Sequence, residues 1–150
     1  LMLVDDLKTL LATSFSYSLK AANYHWNIEG EDFIPFHPWL GELYSDVYGT
    51  VDPLAEYIRT LQAYTPASLT RFQELSRVSD QLEVVQFPQI FEQLLTDTLL
   101  LIDLLNTTFD SATKERQQGI ANFMAERLDA MQKYAWQIRA TLKVIPGDMS

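Results

Sequence analysis

The sequence predicts an all-α protein: a four-helix bundle with one long crossover carrying a short extra helix. Apolar residues recur at helical spacing in four long segments. The links between these segments are short, long and short, in that order. No stretch shows the alternation of a strand. With 150 residues, the chain forms one domain, 1–150, and is long enough to bury a core.

The first segment carries Leu3, Leu7, Leu10, Leu11, Phe15, Leu19, Ala22 and Trp26. Asn27 to Asp32 breaks the pattern, with Gly30 as the stop signal. The second carries Phe36, Leu40, Leu43, Tyr44, Val47, Val51, Leu54, Ala55, Ile58 and Leu61. Pro53 lies inside it, where its ring clashes with the carbonyl of Gly49, so a kink or local bulge is expected there. Residues 63–86 are polar and mixed, and Ala67 to Leu75 fits one short helix. The third segment runs from Ile90 to Phe109 through Leu94, Leu95, Leu101, Ile102 and Leu105. The fourth runs from Ile120 to Leu142, and Pro146-Gly147 is expected to end it.

Short links make segments one and two, and three and four, antiparallel hairpins. The middle link of about 24 residues spans up to ~80 Å when extended. A helix of about 27 residues is only ~40 Å long. The link can therefore return along the whole bundle and set segments two and three parallel. One long crossover of this kind is the ferritin-like arrangement; cytokine bundles need two.

Composition narrows the chemistry. There is no Cys, which excludes disulfides, thiolate metal sites and thiol nucleophiles. It also fits a reducing, cytoplasmic setting. The net charge of −9 repels a phosphate backbone and attracts cations, although many acidic chains are merely well solvated. No apolar run approaches the roughly 20 residues of a membrane span. The chain opens Leu1-Met2-Leu3, which is compatible with a further stretch ahead of it.

The two histidines, His25 and His37, flank the first turn. One histidine beside Trp26 would more often be a packing residue. Two facing each other across a hairpin suggest a ligand pair for iron, zinc or copper. Asp52 and Glu56 stand four residues apart on one helix face among apolar neighbours. Such a pair is usually a solvated stripe, but a cation between two carboxylates removes their repulsion. His37 and Asp52 are fifteen residues apart, or ~22 Å along a helix. Nitrogen and oxygen ligands must sit at about 2.0–2.2 Å from a metal. Within one straight helix the two pairs cannot share an ion. Either they are unrelated, or a second chain completes the site across a two-fold axis.

The stretch Lys20-Ala-Ala-Asn-Tyr-His-Trp-Asn-Ile-Glu-Gly30, followed by Phe33, Phe36, His37, Leu43, Tyr44, Val51, Asp52, Ala55, Glu56 and Ile58, resembles the Dps family of mini-ferritins. Tyr134-Ala-Trp136-Gln-Ile-Arg139-Ala140 resembles that family's last helix, so the likeness spans roughly residues 3 to 143. The resemblance implies a homo-oligomer, a hollow dodecamer built from two-fold dimers. It also implies ferroxidase activity at inter-subunit sites. There Fe(II) would be oxidised to Fe(III), with hydrogen peroxide as the usual oxidant, then stored, protecting against oxidative damage. Carried over by motif, the ligands are His25, His37, Asp52 and Glu56, with zinc as another cation for the same site. Trp26 and Tyr44 fall near it.

The chain departs from the family in three places. Asp is common four residues after the second His, where this chain has Gly41 beside Glu42; one tight and one weak iron position follow, unless Asp46 or water substitutes. Pro53 within the acid motif is unusual. Asn122 stands where the family's pore often has Asp, with Glu126 one turn later. DNA binding is not expected, since Asp5 and Asp6 accompany only Lys8 at the start and the last eight residues hold one Lys and one Asp. Two rival readings are a structural shell and a DNA-protecting shell, each with a degenerate centre. A larger ferritin is disfavoured because the chain has no Glu-x-x-His motif.

Overall fold

The computed structural model describes residues 2–143, and every regular element in them is a helix. They are α1 (Met2–Asn27), α2 (Phe33–Tyr48), α3 (Val51–Thr60), α4 (Leu69–Leu75), α5 (Gln89–Lys114) and α6 (Gln118–Leu142). The expected stop at Pro146-Gly147 lies outside the described residues.

The first hairpin turns as the sequence requires. Gly30 has φ +98°, a conformation that costs residues with a Cβ and is free for glycine. α2 begins at Phe33, three residues before the apolar pattern starts. Pro35 fits there because the first four helical N–H groups have no helical partner. The second segment is two helices rather than one. Gly49 and Thr50 interrupt it but keep right-handed helical dihedrals, so the chain direction carries on. The cause is Pro53, which cannot donate to the Gly49 carbonyl and crowds it. Thr50 tightens the step, its N–H and hydroxyl both donating to the Val47 carbonyl (3.0 and 2.6 Å).

The long link runs back along α1, as its length allows. The Arg77 N–H donates to Thr13 Oγ1, Asn23 Nδ2 donates to the Gln81 carbonyl, and Gln86 Nε2 donates to the Asn27 carbonyl. α4 starts at Ser68, whose hydroxyl accepts from the Arg71 N–H, and Phe72 packs on Phe15 of α1. Phe36 near the start of α2 then meets Phe91 near the start of α5, so these segments are parallel. Against them run α1, with Lys20 at Asp97, and α6, with Arg127 at Asp46. The result is the predicted four-helix bundle with one long crossover.

The core holds the expected residues, among them Leu7, Leu11, Leu40, Leu43, Leu54, Ile58, Leu94, Met124 and Ile138. Leu19 and Trp26 differ: they share the helical pattern of α1 but are 53% and 63% exposed. Both lie on an outer face whose apolar cleft is lined by Phe15, Leu19, Ala22, Trp26, Tyr44 and Tyr48. No helix among the described residues is long and apolar enough to cross a membrane.

Candidate metal centre

The two histidines meet across the first hairpin. His25 stands in the last turn of α1 and His37 near the start of α2, both half-buried. Their rings stack with centroids 4.0 Å apart and planes 12° apart. Phe33 stacks on His37 at 4.6 Å, so His37 lies between two rings. Tyr44 adds a ring 5.9 Å from His25, and Trp26 lies 6.3 Å from Tyr44. The 33–37 spacing of one helical turn makes the Phe33 bracket readable in the sequence.

Each imidazole is bound through Nδ1 to the other's backbone. His25 Nδ1 donates to the His37 carbonyl at 2.5 Å, and His37 Nδ1 donates to the His25 carbonyl at 2.7 Å. A carbonyl only accepts, so each Nδ1 carries its proton and the neutral ring keeps its lone pair on Nε2. This is the usual arrangement of a metal-binding histidine, whose second nitrogen is fixed by a carbonyl or carboxylate. It also satisfies the His25 carbonyl, one of the last four of α1 that lack a helical donor.

The stack limits what the pair can bind. A lone pair lies in its ring plane, and two nearly parallel planes do not meet within bonding distance. One ion at about 2.0–2.2 Å from both nitrogens is therefore excluded for these rings. They address two separate positions.

Asp52 and Glu56 lie on the exposed face of α3, well away from the histidines along the α2–α3 rod. Among the described residues, neither carboxylate has a hydrogen-bond or ion-pair partner. Nor does any group of three or more His, Asp or Glu side chains come close enough to hold a metal ion. One protomer thus offers two separated halves: two Nε2 donors and two unpartnered carboxylates.

Asp46 has partners of its own within the chain. Arg127 holds it through both nitrogens at 3.2 and 2.8 Å, and the Tyr134 hydroxyl donates to it at 3.1 Å. Asp46, the alternative to a carboxylate at position 41, is thus engaged by an arginine and a tyrosine in this chain. Arg127 and Tyr134 lie more than eighty residues from Asp46, so no spacing in the sequence pointed to them. Gly41 instead faces the His25 ring: a Cβ placed there would stand 2.7 Å from Cε1 and 3.1 Å from Nδ1. Glu42, Asn122 and Glu126 are exposed.

The ferritin-like domain family matches residues 4–147 of the chain. The DNA protection during starvation protein of Helicobacter pylori J99 is 28% identical over 139 residues, covering 92% of this chain and 96% of that one. Antigen TpF1 of Treponema pallidum superposes with a TM-score of 0.91 at 26% identity, covering 95% of this chain and 92% of that one. The Dps protein of Vibrio cholerae O1, a member of a broad superfamily of ferritin-like diiron-carboxylate proteins, superposes with a TM-score of 0.90 at 25% identity over 94% and 89% of the two chains. Family, relatives and fold agree over nearly the whole length, and the chain belongs to the ferritin-like proteins as a mini-ferritin of the Dps type.

Proposed function

We propose that this chain forms a cytoplasmic shell, twelve copies built from two-fold dimers, that oxidises Fe(II) and stores the Fe(III). The observation carrying this reading is the pair of incomplete half-sites. Two imidazoles are locked with Nε2 free, and two carboxylates without partners stand elsewhere on the chain. Antiparallel pairing of the α2–α3 rods about a dyad would bring His25 and His37 of one copy to Asp52 and Glu56 of another. Each dimer would then hold two such sites. The exposed Leu19, Trp26 and Tyr48 lie on the α1–α2 face that such pairing would cover.

In this reading the carboxylates bind Fe(II) as charged ligands, and one imidazole completes the tight position. The second imidazole offers a weaker position finished by water, since Gly41 supplies no donor and Asp46 is engaged. Two Fe(II) each give one electron to hydrogen peroxide, which takes up two protons and leaves as two waters. The charge of −9 draws cations toward the shell and opposes a phosphate backbone.

Stopped-flow oxidation of Fe(II) by peroxide tests the assignment. Replacing both Asp52 and Glu56 with Ala should slow oxidation at least about tenfold, the lower end of what disturbing a metal site costs. Oxidation at the wild-type rate by the intact assembled variant contradicts it. A shell without saturable Fe(II) binding under anaerobic conditions would leave the structural reading.

A further inference from the structure

We propose that Gly41 is a positioning residue of the metal site: its missing side chain is the space in which the His25 imidazole is locked. The inference rests on the metal-binding reading above and adds a residue that cannot itself be a ligand.

Gly41 lies well inside α2, away from both ends, where glycine weakens a helix relative to alanine. Its backbone does not occupy the left-handed region, as Gly30 does, so no turn geometry calls for it. What stands against it is the edge of the His25 ring: Cε1 2.7 Å, Nδ1 3.1 Å and Nε2 3.3 Å from where a Cβ would be. Real Cβ atoms do not approach that closely, so the ring would have to move. It cannot move without cost. Nδ1 is bound to the carbonyl of His37, one helical turn before Gly41, and the ring is stacked on His37. Bare backbone at position 41 opens the helix surface beside that carbonyl and lets Nδ1 reach it. That bond keeps the proton on Nδ1 and leaves Nε2 to a metal. In this chain a side chain at 41 would push the ring off the His37 carbonyl and remove the bond that fixes its direction and tautomer.

The test uses Zn(II), which binds without redox chemistry, titrated calorimetrically into the assembled full-length protein. Gly41→Ala should weaken binding about 10–100-fold, the usual effect of losing a partner that fixes a metal-bound histidine. A crystal structure of the same variant should show the His25 ring off the His37 carbonyl. In a His25→Ala background, Gly41→Ala should weaken Zn(II) binding no further, because its effect passes through that ring. Zn(II) affinity within threefold of wild type, or a ring still in place, overturns the proposal. If Gly41→Ala fails to assemble, the double variant should assemble, since the clash is gone; failure of both overturns it. The two readings fail differently. A wild-type protein that does not bind Zn(II), or binds equally well without Asp52 and Glu56, removes the metal site itself. Tight, carboxylate-dependent binding that ignores Gly41→Ala removes only the role of Gly41.

Discussion

Tyr134 shows how one contact decides which carboxylates are free. Burial first, and the charge of Asp46 second, push its hydroxyl up to about 12 from an ordinary value near 10. The neutral hydroxyl donates to Asp46, while Arg127 neutralises the same carboxylate. The pKa is higher in the folded chain than in the unfolded one. The contribution of Tyr134 is therefore complete below pH 10 and fades as pH rises toward 12. Denaturant unfolding should show the stability gap between wild type and Tyr134→Phe shrinking across that window. A gap that widens there contradicts the assignment. Single residues were legible only in part. His25, His37, Asp52 and Glu56 stand out by type and spacing. The engagement of Asp46 and the fit of His25 over Gly41 do not, because both join segments that only folding brings together.

Between elements, a buried ion pair joins α1 to α5. Lys20 Nζ lies 2.9 Å from Asp97 Oδ2, with both side chains about 95% buried. Oδ1 accepts from Gln93, and Oδ2 has no hydrogen-bond partner beyond the ion pair. Nearby, Tyr17 bonds to Thr98, and burial raises its hydroxyl well above the ordinary range. Taking one charge away strands the other in the core, at a cost of about 3–5 kcal/mol. Asp97→Ala should destabilise the protein by that much in denaturant unfolding. Replacing the pair together, Lys20→Met with Asp97→Leu, should be close to neutral. Equal losses in the two variants would show that packing, not the stranded charge, sets the cost. Helical periodicity made the helices readable, and Gly30 and Pro53 marked their interruptions. The start of α2 was hidden because Pro35 blurs the apolar pattern before Phe36. The exposure of Leu19 and Trp26 was hidden too, since periodicity identifies an apolar face without saying what covers it.

At the scale of the molecule, the long crossover fixes the parallel placement of α2–α3 and α5, while the length of α2–α3 itself separates the two half-sites. The topology was legible from link lengths alone. The convergence of imidazoles and acids was legible only as a choice between unrelated pairs and a shared dyad site. That choice belongs to the assembly, and a crystal soaked with Fe(II), read by anomalous diffraction at the iron edge, decides it. A shared dyad site predicts a peak at about 2.0–2.2 Å from Nε2 of His25 or His37 in one copy and from the carboxylates of Asp52 and Glu56 in a neighbouring copy. Iron bound elsewhere, with those four side chains remote from one another in every pair of copies, would contradict it.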